Sequence, residues 1–271
     1  MAQAWRSLGS EFTVIEAFDR LPREEPFAGD ELAAALAERG IDVRTGVRAT
    51  RVRVGDGAIR LELEDGAPVA GDRLLVAVGR QPLTGDLGLE TVGLEPGRPI
   101  RVDDTMRVPG HDWLYAVGDV NGRALLTHMG KYQGRLAADR ILGDDQAHVQ
   151  VDGALSPRVV FTDPQVAATG HTLASALAAG IPARAIDLAT SATAGASFHG
   201  RNAPGTTRFV VDTEREVLVG ATFVGPEVAD FLQAATIAVV GEVPMDRLMH
   251  AIAPFPARSE LWLKFIETYG R

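Results

Sequence analysis

The spacing of apolar and polar positions predicts alternating helices and strands over the first 45 residues. Ala4, Trp5 and Leu8 recur at helical spacing, and Gly9 stops the run. Residues 12–15 (FTVI) form a short β-rich run that ends in Glu16. Residues 28–39 repeat Leu32, Ala35 and Leu36 on one helical face, with Gly40 past the end, and residues 41–45 follow as a second strand. A helix–strand–helix–strand order is that of an α/β unit with parallel strands.

The texture then changes. Strands are predicted at 50–54, 59–63 and 73–78, with the turns GDG (55–57) and EDG (64–66), a β-meander. Glycine- and proline-rich loops run from Gly79 to about residue 112. Residues 113–117 read as a strand, Gly118 and Asp119 follow at once, and a helix spans 127–142. The polar stretch 143–155 has the composition of a domain boundary. Beyond it the pattern predicts strands at 158–161, 183–188, 207–212 and 217–224 and helices at 172–179, 226–240 and 259–268, a second domain of mixed α+β type. Trp5, Trp113 and Trp262 read as packing residues.

Composition narrows the function classes. A chain of 271 residues suggests roughly two domains. A net charge of −9 leaves no basic surplus to neutralise phosphates, which argues against a general nucleic-acid binder. The absence of cysteine excludes a disulfide, a thiolate metal site, a cysteine nucleophile and a dithiol redox centre within these residues. No His, Asp and Glu spacing suggests a metal site. Apolar stretches are too short to span a membrane, and the N-terminus lacks the basic-then-apolar order of a signal peptide, so a cytoplasmic protein is expected.

Two places carry candidate chemistry. Glu16 ends a strand, where a dinucleotide-binding βαβ unit keeps the acid that accepts hydrogen bonds from the adenosine ribose. By itself an acid at a strand end is ordinarily a solvated terminus. A carboxylate there repels a 2′-phosphate and favours NAD over NADP, a preference softened by Arg20. The second place is WLYAVGDV, in which Gly118 turns the chain tightly and leaves Asp119 unobstructed to accept hydrogen bonds from a polyol. The helix starting at LLTHMGKYQGR offers N-terminal amides to a cofactor's oxygens. An isolated Gly-Asp pair, however, is more often a helix cap.

Taken in order, LGSEFTVIEAFDRL, EEPFAGDELAAALAERGIDVRTG, LLVAVGRQPLTGDLGLETVGL, VDDTMRVPGHDWLYAVGDVNG, LLTHMGKYQGRLAA, PRVVFTDPQVAATG and FPARSELW resemble the C-terminal portion of the pyridine nucleotide-disulphide oxidoreductases. These flavoproteins include dihydrolipoamide dehydrogenase and mercuric reductase. The resemblance implies an α/β fold, a partial Rossmann-like FAD/NAD(P)-binding region followed by an α+β dimerisation domain. It divides the chain into a partial NAD(P)-binding domain (1–80), the end of an FAD-binding domain (81–150) and a dimerisation domain (151–271) that makes a homodimer. It implies that Glu16 holds the NAD ribose, that Gly79 admits the nicotinamide half, and that Asp119 binds the FAD ribityl or phosphate region. Leu125, Leu126, Thr127 and His128 would lie against the flavin. The implied reaction passes hydride from NAD(P)H to FAD and then to an acceptor.

Departures from the family pattern are as informative. The redox-active CxxxxC and the Gly-rich loops have no counterpart in these residues, and GDGAIR at 55–60 reads as a hairpin turn. The family's terminal His-Pro…Ser-Glu becomes Phe255, Pro256, Ala257, Arg258, Ser259 and Glu260. Phe255 cannot transfer a proton, so Glu260 has lost the imidazole it would orient, and acceptors needing no acid/base help are favoured. His250 is a weak candidate substitute. The alternative expectation is a non-catalytic dimerising remnant or gene fragment. A sheet without its first strand is expected to leave 1–80 loosely held.

Overall fold

The structure, a computed structural model, describes residues 1–18, 21, 23–55, 57–200 and 203–270. Arg20 and Asp56 therefore lie outside the described residues, as do Arg201 and Asn202 of the polar loop FHGRNAPG, whose sequence suits a solvated loop more than a contact to a ligand or symmetry mate. The chain divides into two compact units: Met1–Val76 together with Pro157–Arg271, and Ala77–Ser156.

The first unit begins with α1 (Ala2–Ser7), β1 (Thr13–Glu16), α2 (Pro26–Glu38) and β2 (Asp42–Thr45). β1 pairs in parallel with β2, Glu16 opposite Thr45, as the alternating pattern predicts. Pro26 opens α2 at a position where its missing N–H costs nothing. The meander follows as β3 (Ala49–Gly55), β4 (Ala58–Leu63) and β5 (Val69–Gly71), all antiparallel.

Residues 73–78, expected as the meander's last strand, belong to no strand. Their composition suits a strand, but a strand exists only with a hydrogen-bonding partner, and β5 already occupies that edge of β4. Leu74, Leu75, Val76 and Val78 are exposed, Val78 to 94%. Residues 113–117 are likewise not a strand. They make one isolated bridge, Tyr115 with Arg107, and Trp113 is 69% exposed. Trp5 is also exposed, so of the three tryptophans only Trp262 packs in an aromatic core.

The rest of the first unit is a five-stranded antiparallel sheet. Its strands are β6 (Arg158–Val160), β7 (Gln165–Gly170), β8 (Ala183–Ala189), β9 (Thr206–Asp212) and β10 (Val217–Gly225), in the order β6-β7-β10-β9-β8. The helices are α4 (Leu173–Ala178), α5 (Leu232–Val240), α6 (Met245–Leu248) and α7 (Leu261–Tyr269). Strand β7 is an addition to the predicted elements. Its alanines are poor strand formers, but it is almost wholly buried between β6 and β10, where packing overrides propensity. Gly170 and Gly220 face each other in that pairing. A Cβ on Gly170 would lie 2.2 Å from the Val219 carbonyl oxygen, and one on Gly220 would lie 1.9 Å from that of His171.

Phe209 of β9 stacks on Phe265 of α7 at 4.1 Å between ring centroids and meets Phe223 edge-on. On the opposite side of the chain order, α2 joins this sheet: Ala28 is fully buried with Val166 and Val224. Buried Glu25 accepts from the Leu173 amide at 2.7 Å and from Arg208 Nη1 at 2.9 Å. Arg208 also holds Asp187, and Glu24 pairs with Arg158 at 2.6 Å.

The second unit has a small core of Leu89, Ile100, Val108 and Ala116 and carries α3 (Thr127–Ile141). Arg123 ties its loops together through Asp104 and Asp152. Burial opposes the charge on Arg123, but the two carboxylates outweigh it and raise its pKa. Among the described residues no helix is long and apolar enough to cross a membrane.

Candidate functional site

In the second unit, two glycine-ended loops converge. Gly79 has a φ of +131° and open space where a Cβ would be, a backbone that only glycine adopts readily. The next residue, Arg80, reaches Asp119 with Nη1 2.5 Å from Oδ2. Both side chains remain substantially exposed, so the pair contributes little to stability, and its effect is to fix position.

Gly118 is left-handed at φ +79° and lies close to α3, where a Cβ on Gly130 would come within 3.3 Å of the Gly118 Cα. Buried Gln133 secures this turn from the helix side: its Oε1 accepts from the Gly118 amide at 2.7 Å and from Asn121 Nδ2 at 2.9 Å. Asn121 in turn donates to the Ala116 carbonyl. Asp119 is thus aimed by a buried amide network and held laterally by Arg80.

Helix α3 starts at Thr127 with Leu126 as its N-cap, and no side chain caps its first amides. Leu125, Thr127 and His128 are exposed at this end and Leu126 is half-buried. Asp119, the uncapped amides and the open Gly79 form a donor-and-acceptor set that fits an oxygen-rich cofactor such as FAD. Neither Arg80 nor Gln133 is marked as a site residue by local sequence pattern. The signal for Gln133 was an uncharged polar residue on the buried face of a helix.

In the first unit, Glu16 ends β1 half-exposed, and its Oε1 accepts from the Phe18 amide at 3.0 Å. Phe255 is 77% exposed. Glu260 Oε2 is buried and has no hydrogen-bond partner. His250 is exposed after α6. Among the described residues, no group of three or more His, Asp and Glu side chains could hold a metal ion.

Family models match almost the whole chain. Residues 1–134 match Pyridine nucleotide-disulphide oxidoreductase, and residues 156–264 match the dimerisation domain of the same family. The chain belongs to the pyridine nucleotide-disulphide oxidoreductases. It is 31% identical to a dihydrolipoyl dehydrogenase of Rhizobium etli, over all of this chain and 57% of that protein. It is 32% identical to a mercuric reductase of Acidithiobacillus ferrooxidans, over 94% of this chain and 46% of that one. The crystal structure of LpdA from Mycobacterium tuberculosis superposes with a TM-score of 0.89 at 27% identity, covering all of this chain and 59% of that one. The HOCl-induced flavoprotein disulfide reductase RclA of Escherichia coli superposes at 0.85 with 25% identity, covering 98% and 61%. The chain therefore spans about half to three-fifths of the length of these oxidoreductases.

Proposed function

We propose that this chain is part of an FAD-dependent NAD(P)H oxidoreductase that acts as a homodimer in the cytoplasm. In this reading residues 1–80 contribute to the NAD(P) site, 81–150 to the FAD site and 151–271 to the dimer. The observation that carries it is the convergence of the AVGR and AVGD loops through Arg80 and Asp119 beside the uncapped start of α3.

FAD, when bound, supplies the two-electron chemistry between NAD(P)H and the acceptor. Asp119 accepts hydrogen bonds from the cofactor's hydroxyls, and Gln133 keeps its turn from rotating away. The amides of residues 125–128 donate to cofactor oxygens. Gly79 leaves room for the nicotinamide ring, and Glu16 accepts from the adenosine ribose, which favours NAD. With Phe255 where the family keeps an acid/base imidazole, the reading favours acceptors whose reduction needs no positioned proton donor, such as quinones or metal ions.

Purified protein supplied with FAD tests the reading. A stoichiometric bound-flavin absorbance that bleaches with NADH is the expected result. A colourless dimer with no NADH oxidation would instead favour a dimerising remnant.

A further inference from the structure

Two 3₁₀ turns far apart in the sequence meet in the first unit. One is Ala194–His199 and the other Arg258–Glu260. They touch backbone to backbone, since a Cβ on Gly195 would lie 2.5 Å from the Ala257 carbonyl carbon. This contact sets His199 beside Arg258, with Arg258 Nη1 3.5 Å from His199 Nε2.

Arg258 is held but not neutralised. Its Nη2 donates to the Pro226 carbonyl, and its guanidinium lies 4.8 Å from the Phe231 ring centroid. Its Nε is buried without a hydrogen-bond partner. No carboxylate of the described residues pairs with it: Glu227 Oε2 lies 3.5 Å from His199 Nε2 instead. Burial lowers the pKa of Arg258, and the more distant Glu227 and Asp230 only partly offset this. Arg258 and His199 open, with Thr190 and Ser191, onto one small cavity. A guanidinium with an unused buried donor, beside an imidazole and the Ser191 side chain, matches an oxygen anion, while the Thr190 hydroxyl is bonded to that of Thr207.

We propose that Arg258 and His199 form a subsite for one oxyanion group, a carboxylate or a phosphate, carried by the electron acceptor. That the anion belongs to an electron acceptor rests on the oxidoreductase function proposed above, whereas oxyanion binding does not.

The test uses the full chain without flavin. Acetate and inorganic phosphate are titrated separately at constant ionic strength while the His199 ring protons are followed by NMR, assigned with His199→Gln. At least one anion is expected to shift them saturably. Arg258→Gln is expected to weaken that binding by about tenfold or more, the loss of a charge-assisted hydrogen bond. Arg140→Gln, remote in sequence and paired with Asp145, should leave it unchanged. A response to acetate alone identifies a carboxylate, and one to phosphate alone a phosphate. Absence of a saturable shift with either anion overturns the proposal. So does undiminished binding in Arg258→Gln or, should that variant not fold, in Arg258→Met, which keeps the apolar stem and removes the charge. Either failure leaves the flavin spectrum free to succeed.

Discussion

Arg80 Nη1 stands 2.5 Å from Asp119 Oδ2, joining two loops 39 residues apart. Exposed pairs of this kind add little to stability, so substitutions here should affect ligand retention more than folding. Asp119→Asn is expected to weaken FAD binding by roughly 10–100-fold, the range for losing a charged acceptor. Its melting temperature should stay close to the parent's. Flavin release followed by ultrafiltration and absorbance checks this, and unchanged retention would remove Asp119 from the site.

Arg208 is the stability-critical cation. Its hydrogen bond to Asp187 is the main cause of its raised pKa. It is also the guanidinium partner of Glu25, which is 2% exposed. Arg208→Ala leaves a buried carboxylate unpaired, at a cost of about 3–5 kcal/mol. Calorimetry should register a midpoint lower by about 10 °C.

His171 gives stability a pH dependence. Burial, then the nearby positive charge of Arg158, lowers its pKa below the ordinary value of 6.5. Below that value the unfolded chain takes up a proton that the folded chain refuses, so stability falls as pH drops through the window beneath 6.5. Replacing His171 with Gln should flatten that part of the curve in urea titrations between pH 7 and about 5. An unchanged slope would assign the loss to other groups.

Gly170 and Gly180 offer a matched comparison. Both are left-handed, at φ +74° and +78°, but only Gly170 has backbone where a Cβ would go. Gly180→Ala is expected to cost about 1 kcal/mol for conformation alone. Gly170→Ala should exceed about 3 kcal/mol or prevent folding. Equal denaturation midpoints would contradict the close approach of β7 and β10.

Hydrogen exchange should divide residues 1–80 rather than treat them alike. The amides of α2 are expected to be protected to nearly the level of β10, because Glu24 and Glu25 bind the sheet. The amides of 74–78 have no strand partner and should exchange within the earliest time points.

Much of this was legible from local patterning. The parallel pair β1 and β2, helices α2 and α3 and the sheet strands β8, β9 and β10 follow from apolar spacing and glycine stops. Strand β7 was hidden because alanine and glycine carry no β signal, and only the facing Gly170 and Gly220 explain their use. Residues 73–78 misled in the opposite sense: their β-rich composition describes a segment suited to a sheet, whereas pairing depends on a neighbour. Asp119 stood out as a Gly-Asp step, but its hold by Arg80 is a long-range contact with no spacing to betray it. His199 reads in the sequence as part of a solvated polar loop, and its approach to Arg258 has no sequence signal, since the turns that form it meet only in the fold.

The Glu25 clamp also bears on mechanics. Helix α2 connects β1, which ends in Glu16, to β2, while its first turn is bolted to β9 through Arg208 and to α4 through the Leu173 amide. The start of α2 and the five-stranded sheet are therefore coupled directly. A force placed on that sheet at Arg208 or at the start of α4 is passed directly to the start of α2, the helix that lies in the chain between the two parallel strands β1 and β2.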